Sequence, residues 1–255
     1  MSVAVVIPAR WGSTRFPGKP LELVAGRSLI ERMWQIASAV VSADTVVVAT
    51  DDDRIVEHVV SFGGRAVLTS PDCANGTERV REAVDELGLD SDIVVNLQGD
   101  AVLTPPDVVD DLVRVMLADA NIEMATPAVR LNREQHEALL AQQAAGQVGG
   151  TTVTFDLRGN ALYFSKSVIP RCRGQQDPPP VWRHLGIYAY RRAMLNRYLE
   201  LAPGRFEQAE KLEQLRAIEH GITIRVVEVD CGGRTFWSVD NPSDVAVVER
   251  ILASE

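Results

Sequence analysis

The chain has no excess of positive charge. It carries 26 Lys and Arg against 35 Asp and Glu, for a formal net charge of −9. A nucleic-acid-binding protein needs a basic face, so that class is disfavoured. A nucleotide ligand is not, because a few local cations set the field inside a cleft. Cysteine is scarce: Cys73, Cys172 and Cys231 are odd in number, far apart, and form no C-x-x-C pair. That excludes a disulfide framework or thiolate zinc site and suits reduced thiols in the cytoplasm. No apolar run approaches the roughly 20 residues of a membrane span. The N-terminus reads straight into a strand without a signal-like stretch, so a cytoplasmic protein with no membrane partner is expected. Internal repeats and low-complexity tracts are also missing. So are the Walker spacing and the dinucleotide fingerprint, which weakens ATPase and dehydrogenase readings.

What is present begins in the first twenty residues. Val3-Ala4-Val5-Val6-Ile7 is a β-branched run that stops at Pro8, the pattern of a buried strand. It opens into Ala9-Arg10-Trp11-Gly12-Ser13-Thr14-Arg15-Phe16-Pro17-Gly18-Lys19-Pro20. Small residues there let backbone N–H groups approach an anion, while Arg10, Arg15 and Lys19 supply charge. Open α/β sheets bind nucleotides at the carboxyl ends of their strands, where this loop would sit.

Strand and helix patterns alternate from there. Ser28 caps a helix to Val40; Thr45–Thr50 is a strand and Arg54–Phe62 a helix; Ala66–Thr69 is a strand and Glu78–Leu87 a helix; Ile93–Leu97 is a buried strand. Pro105-Pro106 opens a helix through Leu117. Such repeats predict an α/β fold with a mainly parallel, doubly wound, Rossmann-like sheet. From Met124 the pattern changes. Met124–Val129 reads as a strand, Glu134–Ala144 as a helix, and Thr151–Phe155 with Ala161–Ser165 as a hairpin. Arg171–Pro180 reads as a mobile loop, Trp182–Tyr190 as one strand, Phe206–His220 as one helix and Ile222–Val229 as a strand. Asn241 can cap a last helix, Pro242–Ala253. With 255 residues, a single domain spanning 1–255 is expected, residues 124–220 forming a smaller lobe within it.

The loop Pro8-Ala9-Arg10 through Pro17-Gly18-Lys19-Pro20 resembles the CTP-binding loop of CMP-Kdo synthetases, the 3-deoxy-manno-octulosonate cytidylyltransferases. The resemblance continues at Ala49-Thr50-Asp51, Gly76-Thr77-Glu78-Arg79 and Asn96-Leu97-Gln98-Gly99-Asp100. It extends through Ala161–Ser165, Arg183-His184-Leu185-Gly186-Ile187-Tyr188, Lys211–Arg216 and Val239-Asp240-Asn241-Pro242, in family order along nearly the whole chain. It implies a nucleotidyltransferase fold, with the 124–220 lobe serving acceptor binding and homodimer contact. It implies a CTP-dependent enzyme that joins CMP to an acid and releases pyrophosphate.

Attack on the α-phosphate concentrates negative charge, so such a site needs cations and a divalent metal rather than a protein nucleophile. Mg²⁺ takes only one or two carboxylates beside phosphates and water. By resemblance Asp100 and Asp240 are those metal ligands; read alone, either could be a turn or capping aspartate. By the same resemblance Arg10 and Lys19 would hold the triphosphate, with Pro8, Ala9, Ser13, Arg15 and loop amides assisting. Thr50, Asp51, Gly76, Thr77, Arg79 and Gln98 complete the nucleotide site. Read without the family, Thr77 is an N-cap and Arg79 a solvated helix cation. Gln98, His184, Tyr188, Glu213 and Gln214 form the acceptor side, His184 and Tyr188 sharing one face of a strand. A solvated helix face competes for Glu213-Gln214. His58, His136 and His220 read as surface residues.

Three departures from the family pattern fall toward the acceptor. Ala101-Val102 replaces Glu-Pro, the stretch 145–152 lacks the usual Asn-Pro-Asn and lysine, and Lys166 stands for arginine and cannot repeat its bidentate contact. They are expected to weaken recognition of a large sugar acid. A small phosphonate such as phosphonoformate is therefore an alternative acceptor. A nucleotidyltransferase for another base or sugar phosphate is a rival, as is a catalytically inactive nucleotide-binding module.

Overall fold

The structure, a computed structural model, describes residues 1–12, 16–147, 150–174, 176–231 and 237–253. The chain separates into two compact units, one of Met1–Val113 with Gly233–Glu255, the other Arg114–Gly232.

In the first unit, β1 (Val3–Ala9) is buried at all seven positions. A run apolar on both faces can only be an interior strand of a sheet covered on both sides. A 3₁₀ turn (Lys19–Leu21) and the small hairpin β2 (Leu23–Val24) and β3 (Arg27–Ser28) lead to α1 (Leu29–Ser38). Then come β4 (Thr45–Thr50), α2 (Asp53–Ser61), β5 (Ala66–Leu68), α3 (Gly76–Glu86), β6 (Ile93–Asn96) and α4 (Pro106–Ala118), which runs across the boundary into the second unit. Ser28 caps α1 as expected, its side chain accepting from Glu31 N–H. The four strands β5-β4-β1-β6 are all parallel. The chain winds outward from β1 to β4 and β5, then returns to place β6 on the other side of β1. That reversal is a topological switch point, and it opens a crevice beyond the carboxyl ends of β1 and β6.

The second unit holds β7 (Met124–Arg130), α5 (Arg133–Ala144), β8 (Thr152–Phe155), β9 (Ala161–Ser165), β10 (Trp182–His184), β11 (Tyr188–Arg191), α6 (Arg192–Leu199), α7 (Arg205–Glu210), α8 (Leu215–Glu219) and β12 (Arg225–Glu228). Here β7 pairs parallel with β12 and antiparallel with β10 and β11, and the β8–β9 hairpin adds to β10. The last helix, α9 (Pro242–Leu252), returns to the first unit.

Two expected elements are broken. Trp182–Tyr190 is not one strand. His184 faces Ala128 while Ala189 faces Ala125, so the register slips by two residues at Leu185–Ile187. The Thr126 side chain donates to the Ile187 carbonyl within this stretch, at 2.7 Å. Phe206–His220 is likewise two helices. Arg216 reaches back to Glu207 with two bonds of 2.9 and 2.6 Å. In one straight helix those residues would be about 13 Å apart along the axis. The turn is taken by Lys211 in the left-handed conformation, φ 56°. Glu213 and Gln214 lie in that corner, with Gln214 buried, rather than on a solvated helix face.

Candidate functional site: a cleft at the switch point

A cleft of about 330 Å³ opens at the switch point, all of it within the first unit. Pro8, Ala9 and Arg10 line it from the end of β1, and Gln98, Gly99 and Asp100 from beyond β6. Gly76 and Arg79 face it from the start of α3, Lys19 from the loop, and Asp240 from the turn before α9. These expected nucleotide and metal residues, spread from position 8 to 240, come together. Ser13 and Arg15 lie outside the described residues. Thr50 is fully buried, and neither it nor Asp51 nor Thr77 lines the cleft.

Asp51 acts instead as a brace. Its Oδ1 accepts the Trp11 backbone N–H at 3.0 Å and its Oδ2 the Arg79 guanidinium at 3.1 Å. Arg79 is 3% exposed and also donates to Thr69 Oγ1 at 2.6 Å, so it is a buried, paired cation and not a solvated one. Thr77 is not the cap of α3; Asn75 is, accepting from Glu78 N–H at 2.8 Å. Trp11 itself is closely packed. The Arg54 guanidinium lies 3.4 Å over its ring. Gly18, at φ +72°, comes so near the ring that an added Cβ would stand 3.0 Å from Trp11 Cη2. Sequence reasoning did not single out Trp11, Arg54, Cys73 or Asn75; the alternation of small and charged residues around Arg10 drew attention away from the tryptophan.

Charge is concentrated where the strands end. Lys19 Nζ donates to Asp100 Oδ2 at 2.8 Å and to the Val239 carbonyl at 2.9 Å. The Asp240 backbone is held by Asp244, whose Oδ2 accepts its N–H at 2.9 Å from the first turn of α9. Gly99 allows the close approach of the two strand ends, because a Cβ there would lie 2.7 Å from the Pro8 carbonyl oxygen. Gln98 Nε2 donates to Asn96 Oδ1 at 3.1 Å, which leaves its Oε1 as an acceptor. Cys73 also lines the cleft, but burial and the Glu82 carboxylate beside it push its thiol up to about 11. It is a neutral thiol at physiological pH, not a nucleophile.

The other expected acceptor residues lie in the second unit. His184 is buried, with its Nε2 2.9 Å from Thr126 Oγ1. Although β10 and β11 are separate strands, the His184 and Tyr188 rings still meet, with centroids 5.5 Å apart. Burial drives the His184 ring down to about 3, with a smaller push from the Lys166 ammonium, and drives Tyr188 well up. Both side chains are neutral hydrogen-bonding groups at pH 7. Tyr198 fixes the corner before α8 by donating its hydroxyl to the Glu213 carbonyl at 2.7 Å. Next to it Gln214 Nε2 is buried without a hydrogen-bond partner among the described residues. Of the departures, Ala101 does not line the cleft, and Lys166 Nζ donates to Thr151 Oγ1 at 3.1 Å. Val148 and Gly149, within the altered 145–152 stretch, lie outside the described residues. The expected loop at Arg171–Pro180 has no helix or strand among its described residues, and Arg130 donates to the carbonyls of Pro178 and Pro179. Of the remaining histidines His220 is exposed, while His58 is half-buried and bonded to Ser28 Oγ.

A parallel α/β sheet whose switch point gathers Arg10, Lys19 and two aspartates defines a nucleotidyltransferase fold. Residues 4–224 match the family described as Cytidylyltransferase. A 3-deoxy-manno-octulosonate cytidylyltransferase of Maricaulis maris is 52% identical over all of this chain and 98% of its own length. One from Chlamydia abortus is 44% identical over 97% of this chain and 92% of its own. The solved CMP:2-keto-3-deoxy-manno-octonic acid synthetase complexed with CTP superposes with a TM-score of 0.87 at 36% identity, covering 100% and 99% of the two chains. A 4-diphosphocytidyl-2C-methyl-D-erythritol synthase from Anaerococcus prevotii shares the fold alone, with a TM-score of 0.61 at 15% identity over 99% and 96% of the two chains. The chain belongs to the cytidylyltransferase family, in its 3-deoxy-manno-octulosonate branch.

Proposed function

We propose that this enzyme transfers a cytidylyl group from CTP to 3-deoxy-manno-octulosonate (Kdo), giving CMP-Kdo and pyrophosphate. The observation that carries this is the convergence of Arg10, Lys19, Asp100 and Asp240 on one cleft, in a chain 52% identical to a relative of that name. An acceptor hydroxyl oxygen forms the new bond to the α-phosphorus as the bond to the bridging β-phosphate oxygen breaks. The hydroxyl loses its proton, and pyrophosphate leaves without a covalent enzyme intermediate. Arg10 and Lys19 neutralise the phosphates, and backbone amides around Ala9 and Gly76 approach the nucleotide.

The donor set fits Mg²⁺. Asp100 and Asp240 are hard oxygen ligands in the same cleft as two phosphate-binding cations, the combination in which magnesium takes its remaining ligands from phosphate and water. When bound, the ion would polarise the α-phosphate and offset charge on the leaving pyrophosphate. Asp100 is positioned for this by Lys19, and Asp240 by the bond its backbone N–H donates to Asp244.

His184, Tyr188, Glu213 and Gln214, all in the second unit, read the acceptor. A polyhydroxy acid calls for mixed donors and acceptors on a rigid frame, and the neutral His184 and Tyr188 and the Gln214 Nε2, without a hydrogen-bond partner among the described residues, supply some of them. The departures do not outweigh this: Ala101 is not among the residues that line the cleft, and Lys166 donates to Thr151. Cytoplasmic location is supported by three free cysteines and by the CTP requirement. Homodimer formation is supported by the family resemblance and by exposed Leu157, Leu162 and Phe206 in the second unit. In this structure no helix among the described residues is long and apolar enough to cross a membrane.

The test is pyrophosphate release with CTP across Kdo, a sialic acid and phosphonoformate. Kdo is expected to have a kcat/KM at least about a hundredfold above the others, the discrimination that a site with several hydrogen-bonding groups supports. Preference for phosphonoformate would overturn the acceptor assignment. No pyrophosphate release with any acceptor would indicate a nucleotide-binding module without transferase activity.

A further inference from the structure

The imidazole of His184 packs against two aromatic rings. Phe164 meets it edge-on with centroids 5.0 Å apart, and Tyr188 tilts against it at 5.5 Å. Its only hydrogen bond among the described residues is the 2.9 Å contact between Nε2 and Thr126 Oγ1. Thr126 is fully buried, and its hydroxyl has a single proton. That proton is already committed. Thr126 Oγ1 lies 2.7 Å from the Ile187 carbonyl oxygen and 3.3 Å from that of Leu185, and carbonyl oxygens only accept. Oγ1 therefore meets the histidine with a lone pair, and the bond closes only if Nε2 carries the ring proton. Nδ1 is then a bare acceptor in a ring that burial keeps neutral.

We propose that Thr126 is a positioning residue that locks His184 in its Nε2–H tautomer, so that Nδ1 is presented as a hydrogen-bond acceptor to a hydroxyl of the sugar acid. This rests on the reading of His184 as an acceptor contact. The consequence is a choice of ligand group. A bare ring nitrogen on a rigid frame accepts from a sugar hydroxyl and repels a carboxylate oxygen, so it fixes which end of a polyhydroxy acid faces this strand. One hydroxyl thus performs two tasks. It sets the proton on His184, and it ties down the two-residue slip at Leu185–Ile187 that determines where Tyr188 emerges.

The tautomer is read by two-bond ¹H–¹⁵N correlation on the full-length, ligand-free protein at neutral pH, with the His184 signals assigned by their loss in His184→Gln. The expected result is a protonated Nε2 and a bare Nδ1. In Thr126→Val, which keeps shape and removes the lone pair, a population with protonated Nδ1 is expected to appear. KM for Kdo should rise about tenfold, the effect of one misdirected hydrogen bond, while KM for CTP stays unchanged. Thr126→Ser should restore both. A protonated Nδ1 or an imidazolium in the unmodified protein would overturn the proposal. So would Thr126→Val with an unchanged tautomer and unchanged KM for Kdo, or with the KM for CTP raised equally. If Kdo is not turned over by the unmodified enzyme, the functional reading fails, and the tautomer measurement still decides the part assigned to Thr126.

Discussion

Asp100→Asn is expected to lower kcat by roughly a thousandfold or more at saturating Mg²⁺, the scale of transition-state stabilisation supplied by a catalytic metal. The amide keeps the shape of the side chain and removes its charge. Asp100 lies past the end of β6 and in no part of the apolar core, and its ion pair with Lys19 is partly exposed, at 19% and 26% for the two side chains. A pair of that exposure contributes about 1 kcal/mol or less, so Tm should move by only a few degrees. The measurement is kcat with CTP and Kdo beside a thermal melt. A folded Asp100→Asn enzyme with near-normal turnover would remove Asp100 from the metal site. Asp240→Asn should behave alike, because it lines the same cleft from the turn that Asp244 holds.

Lys19→Met is expected to cost roughly a hundred- to a thousandfold in kcat/KM for CTP, the range seen when one donor to a developing anion is removed. The reason is local. Lys19 is the cation directly bonded to Asp100, and the Val239 carbonyl holds it at the mouth of the last turn. It is therefore the group that ties the loop after β1 to both carboxylate-bearing segments. Methionine preserves the apolar stem and removes the ammonium, so packing is retained. Lys19→Arg should recover only part of the loss, since a planar fork cannot replace a point charge between two oxygens. Initial rates over a CTP series settle it. A Lys19→Met enzyme with unchanged kcat/KM would show that the triphosphate does not depend on this residue.

The parallel half of the fold was legible because buried parallel strands are written as continuous apolar runs. Val3–Ile7, Thr45–Thr50 and Ile93–Leu97 all appear as β1, β4 and β6 within a residue or two. The cleft was legible for a related reason: its residues follow strand ends, and strand ends could be counted. What escaped the sequence depends on side chains reaching across large separations. The slip between β10 and β11 carries a bond from Thr126 on another strand, and the corner between α7 and α8 is spanned by the Arg216–Glu207 pair. Arg79 looked like an ordinary helix cation until the fold brought Asp51 and Thr69 beside it. Nothing in the local sequence of Trp11 announces that Arg54 will stack over its ring or that Gly18 will pack close against it.

The most direct test of cytidylyl transfer at this cleft is ³¹P NMR of the purified enzyme with CTP, Mg²⁺ and Kdo. The expected result is loss of the triphosphate signals with equal growth of pyrophosphate and a single new phosphodiester resonance, the CMP–sugar linkage. Formation of that resonance should disappear in Asp100→Asn and in Lys19→Met. Conversion of CTP to CDP and inorganic phosphate, or to free CMP with no phosphodiester formed, would contradict the account.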